Sequence, residues 1–157
     1  MNSVFPPGTA EILLIEDNPD DAEFFVHTLE KAGLAARCRI IPDGAEALEF
    51  IFCTGRHAER QSVSRPKVIV IDLMLPKVNG LEVLRRLKSD PLTRTIPVVV
   101  LSSSQEERDL IEGYELGVNS YIVKPMDFDE FGQSVRLLCQ YWLQYNLTPE
   151  TLKKPPA

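Results

Sequence analysis

Residues 67–80 read KVIVIDLMLPKVNG. Four β-branched residues, Val68 to Ile71, run directly into Asp72; apolar residues resume as far as Leu75, and Pro76 and the Asn79-Gly80 pair then break the run. A short apolar run bounded by turn residues reads as a buried strand. A carboxylate at the end of such a strand gives up water at high cost unless something compensates it. Asp72 is therefore a candidate for chemistry rather than for packing.

Working outward, the same alternation of apolar run and helical stripe recurs along the chain. Strand-like runs occupy Ile12-Ile15, Arg37-Ile41, Val68-Ile71, Val98-Leu101 and Ser120-Val123. Between them lie helical stretches with readable ends. Asn18-Pro19 starts the first and Gly33 follows it; Asp43 caps the second; the third begins near Gly80 and stops before Pro91. Ser104-Gln105-Glu106-Glu107 has capping-box spacing ahead of the fourth, Gly117 closes it, and the fifth runs from about Asp127 to Tyr145. Five repeats of strand then helix make an α/β protein, a parallel sheet with right-handed crossovers and helices on both faces. The polar stretch His57 to Pro66 reads as a surface loop.

Composition narrows the possible roles. With 157 residues, 44% of them hydrophobic and 25% charged, the chain has enough apolar surface for one domain. Its formal net charge of -6 argues against nucleic acid as a direct ligand, because phosphate binding needs a basic face. No apolar run approaches the ~20 residues of a membrane span, and the start MNSVFPPGTA lacks the pattern of a secretion signal. Cys38, Cys53 and Cys139 are scattered, which suits reduced thiols and a cytoplasmic location.

In open α/β sheets the ligand crevice lies outside the carboxyl ends of the strands. Those ends carry Glu16-Asp17, Asp72, Ser102-Ser103-Ser104 and Lys124-Pro125. Crowded carboxylates raise one another's pKa unless a cation sits among them, and a hard divalent ion such as Mg2+ is the natural one. Lys124 adds a compact positive charge for a small anion, and Ser102 adds a hydroxyl donor. An anion beside a metal and a carboxylate points to phosphoryl transfer onto that carboxylate. His27 and His57 lie away from these ends and read as surface or helix residues, and Ser104 reads as a cap.

EDN after the first strand, IDLMLPKVNG around the third, VVVLSSS at the fourth and SYIVKP at the fifth resemble the receiver domain of bacterial two-component response regulators over about residues 11 to 145. The resemblance implies a doubly wound, flavodoxin-like sheet in the order 2-1-3-4-5. It implies that Asp72 accepts a phosphoryl group from a sensor histidine kinase, and that Mg2+ is held by Glu16, Asp17, Asp72 and the backbone carbonyl of Met74. Lys124 and Ser102, with the backbone of Leu73 and Ser103, are then the contacts of the phosphoryl group. Ser102 and Tyr121 form the switch pair, and the Lys124-Pro125 bond resembles the family's cis peptide. Intrinsic autophosphatase activity is part of the same pattern. Ser102 stands where threonine is frequent, Asn79 where aspartate is usual, and Met74 where many members carry a polar residue.

The YWLQYN segment and the long loop before the third strand resemble the small stand-alone regulators paired with phytochrome-type kinases. On this reading residues 1–10 are an extension, 11–145 the receiver domain and 146–157 a tail without an output domain, so the signal leaves through a protein surface to a downstream protein. A flavin mononucleotide binder would be repelled by the acidic first loop, and a dehalogenase-type phosphatase would want an acid where Met74 stands. A phosphorylation-independent interaction module is the remaining alternative. On the last helix, Phe128, Phe131, Val135, Leu138 and Trp142 make a stripe for the sheet, and Leu137, Tyr141 and Tyr145 make a second row beside it. That surplus apolar row suggests a homodimer through the fourth and fifth helices and the fifth strand, the alternative being a tail folded over the rings.

Overall fold

The computed structural model describes residues 11–34, 38–59 and 65–149. The N-terminal extension, Arg37, the middle of the His57 to Pro66 loop and the end of the tail lie outside the described residues. In chain order the elements are β1 (Ile12–Ile15), α1 (Pro19–Lys31), β2 (Cys38–Ile41), α2 (Gly44–Phe52), a 3-10 turn (Gly55–His57), β3 (Val68–Ile71), α3 (Gly80–Ser89), β4 (Val98–Ser102), α4 (Glu107–Glu115), β5 (Ser120–Val123) and α5 (Phe128–Gln140). The five strands form one parallel sheet in the order β2-β1-β3-β4-β5. No helix among the described residues is long and apolar enough to cross a membrane.

The strand alternation sorts the core into two layers. Leu13, Ile15, Ile69, Ile71, Val98 and Val100 face α2 and α3, packing on Leu48, Ile51, Leu84 and Leu87. Ile12, Leu14, Val68, Val70, Val99 and Leu101 face α1 and α5, packing on Phe25, Leu29, Phe131, Val135 and Leu138. The three central strands are buried along their whole length, whereas β2 and β5 at the edges are partly exposed. Covering both faces is what allows a near-continuous apolar run such as Val68 to Ile71.

Most helix ends follow the expected chemistry. The Asn18 carboxamide accepts from the N–H groups of Asp20 and Asp21 at 2.9 and 3.2 Å; Asp43 caps α2 and Asn79 caps α3. The fourth helix departs from expectation. Its cap is Glu106, whose side chain makes no capping bond; the Ser104 hydroxyl donates to the Asp109 carboxylate and accepts from the Glu106 N–H at 3.4 Å, ahead of the first turn. The last helix also differs: its α geometry ends at Gln140 and continues as one π turn over Tyr141–Tyr145. Phe128 is not part of the buried layer on the sheet; as the first residue of α5 it is 73% exposed and lies against the Phe24 ring. No cis peptide bond occurs among the described residues, so Lys124-Pro125 is trans rather than cis, the isomer an X-Pro bond favours by ~0.5–1 kcal/mol.

Two anchors fix the loops around the strand ends. Gly80 sits against the carbonyl of Asp72 and the Cα of Leu73, where a Cβ would collide with backbone, and its N–H donates to the Leu73 carbonyl at 3.0 Å. Only glycine lets the loop after β3 close this tightly. Lys88, half-buried near the end of α3, donates to the carbonyls of Arg94 and Ile96 at 3.1 and 2.8 Å and to the Asn119 carboxamide at 3.0 Å. It thereby ties α3 to the loops that enter β4 and β5.

Candidate functional site

Strand register builds the site. Ile15 pairs with Ile71, so Glu16 and Asp72 leave the sheet side by side; Ile71 pairs with Val100, which brings Ser102 to the same edge; and Ser102 pairs with Val123, which places Lys124 next. Residues more than 100 positions apart converge because parallel strands expose all their carboxyl ends on one side.

Asp72 is 6% exposed. Its Oδ1 accepts from the Met74 N–H at 3.0 Å and from the Ser102 hydroxyl at 2.9 Å, and its Oδ2 accepts from Lys124 Nζ at 2.9 Å. Burial works against its charge, yet the Met74 N–H, Lys124 and Ser102 outweigh it and hold the carboxyl below the usual carboxylate range. Lys124 also donates to Glu16 Oε2 at 2.7 Å and to Asp21 Oδ2 at 2.9 Å. Burial alone would lower its pKa, but these carboxylates push it well above the ordinary lysine range. Glu16 is the most deeply buried acid, and desolvation, with the Asp72 charge adding to it, pushes its pKa up to about 7 despite Lys124.

One carboxylate oxygen from each of Glu16, Asp17 and Asp72 lies within 4.8 Å of the other two. An all-oxygen donor set in which the buried Glu16 is only partly neutralised by Lys124 fits a hard divalent cation. Asp17 is the exposed member, held at the mouth by the Asn18 turn, and the Glu16 Oε1 accepts from the Asn18 N–H at 3.1 Å.

Ser102 is fully buried, Leu73 is buried, and Ser103 and the Met74 side chain are exposed on the loops after β4 and β3. Beyond Ser102 a short relay leads outward. The Ser104 N–H donates to the Ser102 hydroxyl at 3.3 Å, and the Tyr121 hydroxyl donates to the Ser104 carbonyl at 3.0 Å. His27 lies on α1, and His57 stacks edge-on against Phe50 beside Glu46; neither reaches the strand ends.

The family described as "Response regulator receiver domain" matches residues 12–136. The chain is a response regulator receiver domain. This receiver is 38% identical over 138 residues to the probable methanogenesis regulatory protein FilR2 of Methanothrix harundinacea, covering 88% of this chain and 86% of the relative. It is 36% identical over 133 residues to the response regulator Rcp1 of Synechocystis, covering 85% and 88%. The crystal structure of the phosphorylated cyanobacterial phytochrome response regulator RcpA superposes with a TM-score of 0.83 at 37% identity, covering 90% of this chain and 99% of that one. Rcp1 has been solved in a Mn(2+)-bound form, with a TM-score of 0.82 at 34% identity, covering 89% and 99%.

The geometry also adds a member to the site. Asp21, in the first turn of α1, is the third carboxylate on Lys124. Sequence alone hides it, because acidic residues are common in a first helical turn, where they favour the dipole. The acidic cluster generates a direct expectation. Millimolar Mg2+ is expected to raise the midpoint of thermal unfolding, because an ion that binds the folded state alone stabilises it, by about 2.7 kcal/mol at a hundredfold excess over the dissociation constant. Differential scanning fluorimetry checks this: the increment is lost in Asp17→Ala, and an equal shift in that variant contradicts the placement of the ion.

Proposed function

We propose that this receiver accepts a phosphoryl group on Asp72 from the phosphohistidine of a sensor histidine kinase, in a Mg2+-dependent reaction in the cytoplasm, and signals through a protein surface. The observation that carries this is the state of Asp72: a carboxylate buried at the carboxyl edge of the sheet and kept charged by Met74, Ser102 and Lys124. A buried, ionised carboxylate facing a lysine and two further acids is an activated nucleophile beside an anion site.

In the transfer, a carboxylate oxygen of Asp72 forms an O–P bond as the P–N bond of the phosphohistidine breaks, and the departing imidazole nitrogen keeps the electron pair and takes a proton from solvent. Glu16, Asp17, Asp72 and the Met74 carbonyl would hold a divalent ion, which would supply positive charge to offset that of the phosphoryl group. Lys124 neutralises charge at the carboxylate it already touches, and the Ser102 hydroxyl, now spent on Asp72 Oδ1, turns to a phosphoryl oxygen. The backbone N–H groups of Leu73 and Ser103 complete the cradle. Moving Ser102 withdraws the acceptor of the Ser104 N–H and disturbs the carbonyl on which Tyr121 rests, so the altered surface is that of α4 and β5. Slow hydrolysis of the acyl phosphate by water returns the protein to its starting state, an intrinsic autophosphatase activity.

The likeness to RcpA and Rcp1 supports a phytochrome-type kinase as the donor. A homodimer through α4, β5 and α5 belongs to the same reading. Ile111 and Tyr114 on α4, Val123 on β5, Leu137 on α5, and Tyr141 and Tyr145 on the π turn are all exposed by 37% or more. Burying this row around a two-fold axis removes it from water.

Two measurements test the reading. Asp72→Asn keeps the fold by circular dichroism and abolishes acid-stable, base-labile labelling from a phosphorylated histidine kinase; undiminished labelling of this variant overturns the assignment. Light scattering at micromolar concentration gives a dimer mass that Tyr141→Glu converts to monomer, whereas a monomeric wild type, with or without a phosphoryl analogue, ends the dimer proposal.

A further inference from the structure

The transfer onto Asp72 uses Lys124, Ser102 and the acidic cluster, and leaves the Asp21 contact without a role. Lys124 has three N–H donors, and in this structure Glu16, Asp21 and Asp72 take one each, at 2.7, 2.9 and 2.9 Å. A phosphoryl group that is to be held by Lys124 must displace one of them. The side chains of Glu16 and Asp72 are 4% and 7% exposed, and that of Asp21 is 32% exposed. A carboxylate released into water recovers its solvation, whereas a buried one does not. The contact that yields is therefore the one from Asp21.

The backbone of Asp21 is fixed by the α1 cap, since its N–H donates to the Asn18 carboxamide, so its carboxylate stays at the pocket mouth after Lys124 turns away. It remains there as a negative charge beside an incoming anion. Resting on the phosphoryl-acceptor reading above, we propose that Asp21 is a positioning residue that holds Lys124 at the mouth of the pocket and disfavours loading of Asp72 by free anionic phosphodonors, leaving a docked kinase as the effective source. A kinase surface brings its phosphohistidine at high effective concentration and offsets this repulsion through contacts elsewhere. A small donor has only its charge and its encounter rate, so the repulsion falls on it in full.

The probes are acetyl phosphate, a dianion at neutral pH, and phosphoramidate, which carries less net negative charge. With the first, Asp72 forms an O–P bond as the P–O bond to the acetyl group breaks and acetate leaves with the electron pair. With the second, the P–N bond breaks and ammonia leaves, its nitrogen already protonated. Asp21→Asn keeps an acceptor oxygen for Lys124 and removes only the charge. It raises the second-order rate of Asp72 labelling by acetyl phosphate about three- to tenfold, mainly through a lower KM. The gain with phosphoramidate is smaller. The wild-type rate with acetyl phosphate rises with ionic strength as like charges are screened, and the rise is shallower in Asp21→Asn. Asp21→Glu restores wild-type behaviour.

Equal gains with both donors, no gain at all, or an unchanged salt dependence overturns the inference while the labelled wild type leaves the acceptor reading intact. A protein that a phosphorylated histidine kinase does not label, and that neither small donor labels even as Asp21→Asn, under conditions where Mg2+ binds, overturns the acceptor reading itself and this inference with it.

Discussion

A single ammonium group holds the functional edge of this protein together. Lys124 Nζ bonds carboxylates that arrive from the end of β1, the first turn of α1 and the end of β3, and it projects from the end of β5. Each of those acids costs solvation on burial, and a shared cation is what makes their crowding tolerable. The tether matters most for β5 itself. That strand lies at the sheet edge with every residue at least partly exposed, so its packing holds it less firmly than burial holds β1, β3 and β4. A charge contact at its carboxyl end supplements its ladder to β4.

The same arrangement explains how chemistry at one atom is felt at a distance. Asp72 is bound on one oxygen by Ser102 and on the other by Lys124, so on the proposed reading phosphoryl oxygens at that carboxylate would reach both partners at once. Ser102 leads through Ser104 to Tyr121, and Lys124 leads directly into β5. Both routes end on the face formed by α4, β5 and α5, where the exposed apolar and aromatic side chains lie. The coupling needs a two-state element rather than a chain of contacts alone. On the proposed reading the Ser102 hydroxyl and the Lys124 side chain supply one, because each holds a carboxylate in this state and would hold a phosphoryl oxygen in the other.

Much of this was legible in the residues. The apolar runs located all five strands, and parallel topology then dictated that Glu16, Asp17, Asp72, Ser102 and Lys124 share an edge. What escaped did so for particular physical reasons. The Ser104 hydroxyl accepts from the Glu106 N–H two residues on, not from the first turn of α4, and donates to Asp109, a pairing that capping-box spacing does not show. Phe128 fits the helical period of the core stripe, but it sits in the first turn, before α5 lies over the sheet. Asp21 and Lys88 look like ordinary surface charges on amphipathic helices; only tertiary approach shows that one joins the pocket and the other clamps three acceptors.

On the proposed reading Lys124 exchanges its Asp21 contact for a phosphoryl oxygen while staying at the strand edge. A crystal structure of the protein with Mg2+ and beryllofluoride, a phosphoryl mimic that binds an acceptor carboxylate, tests it most directly. The expected structure has beryllium on Asp72, Lys124 Nζ and the Ser102 hydroxyl within hydrogen-bonding distance of fluorine, and the Lys124 contact to Asp21 broken. Beryllofluoride bound to Asp72 with Lys124 still on Asp21 and Ser102 unmoved would contradict it.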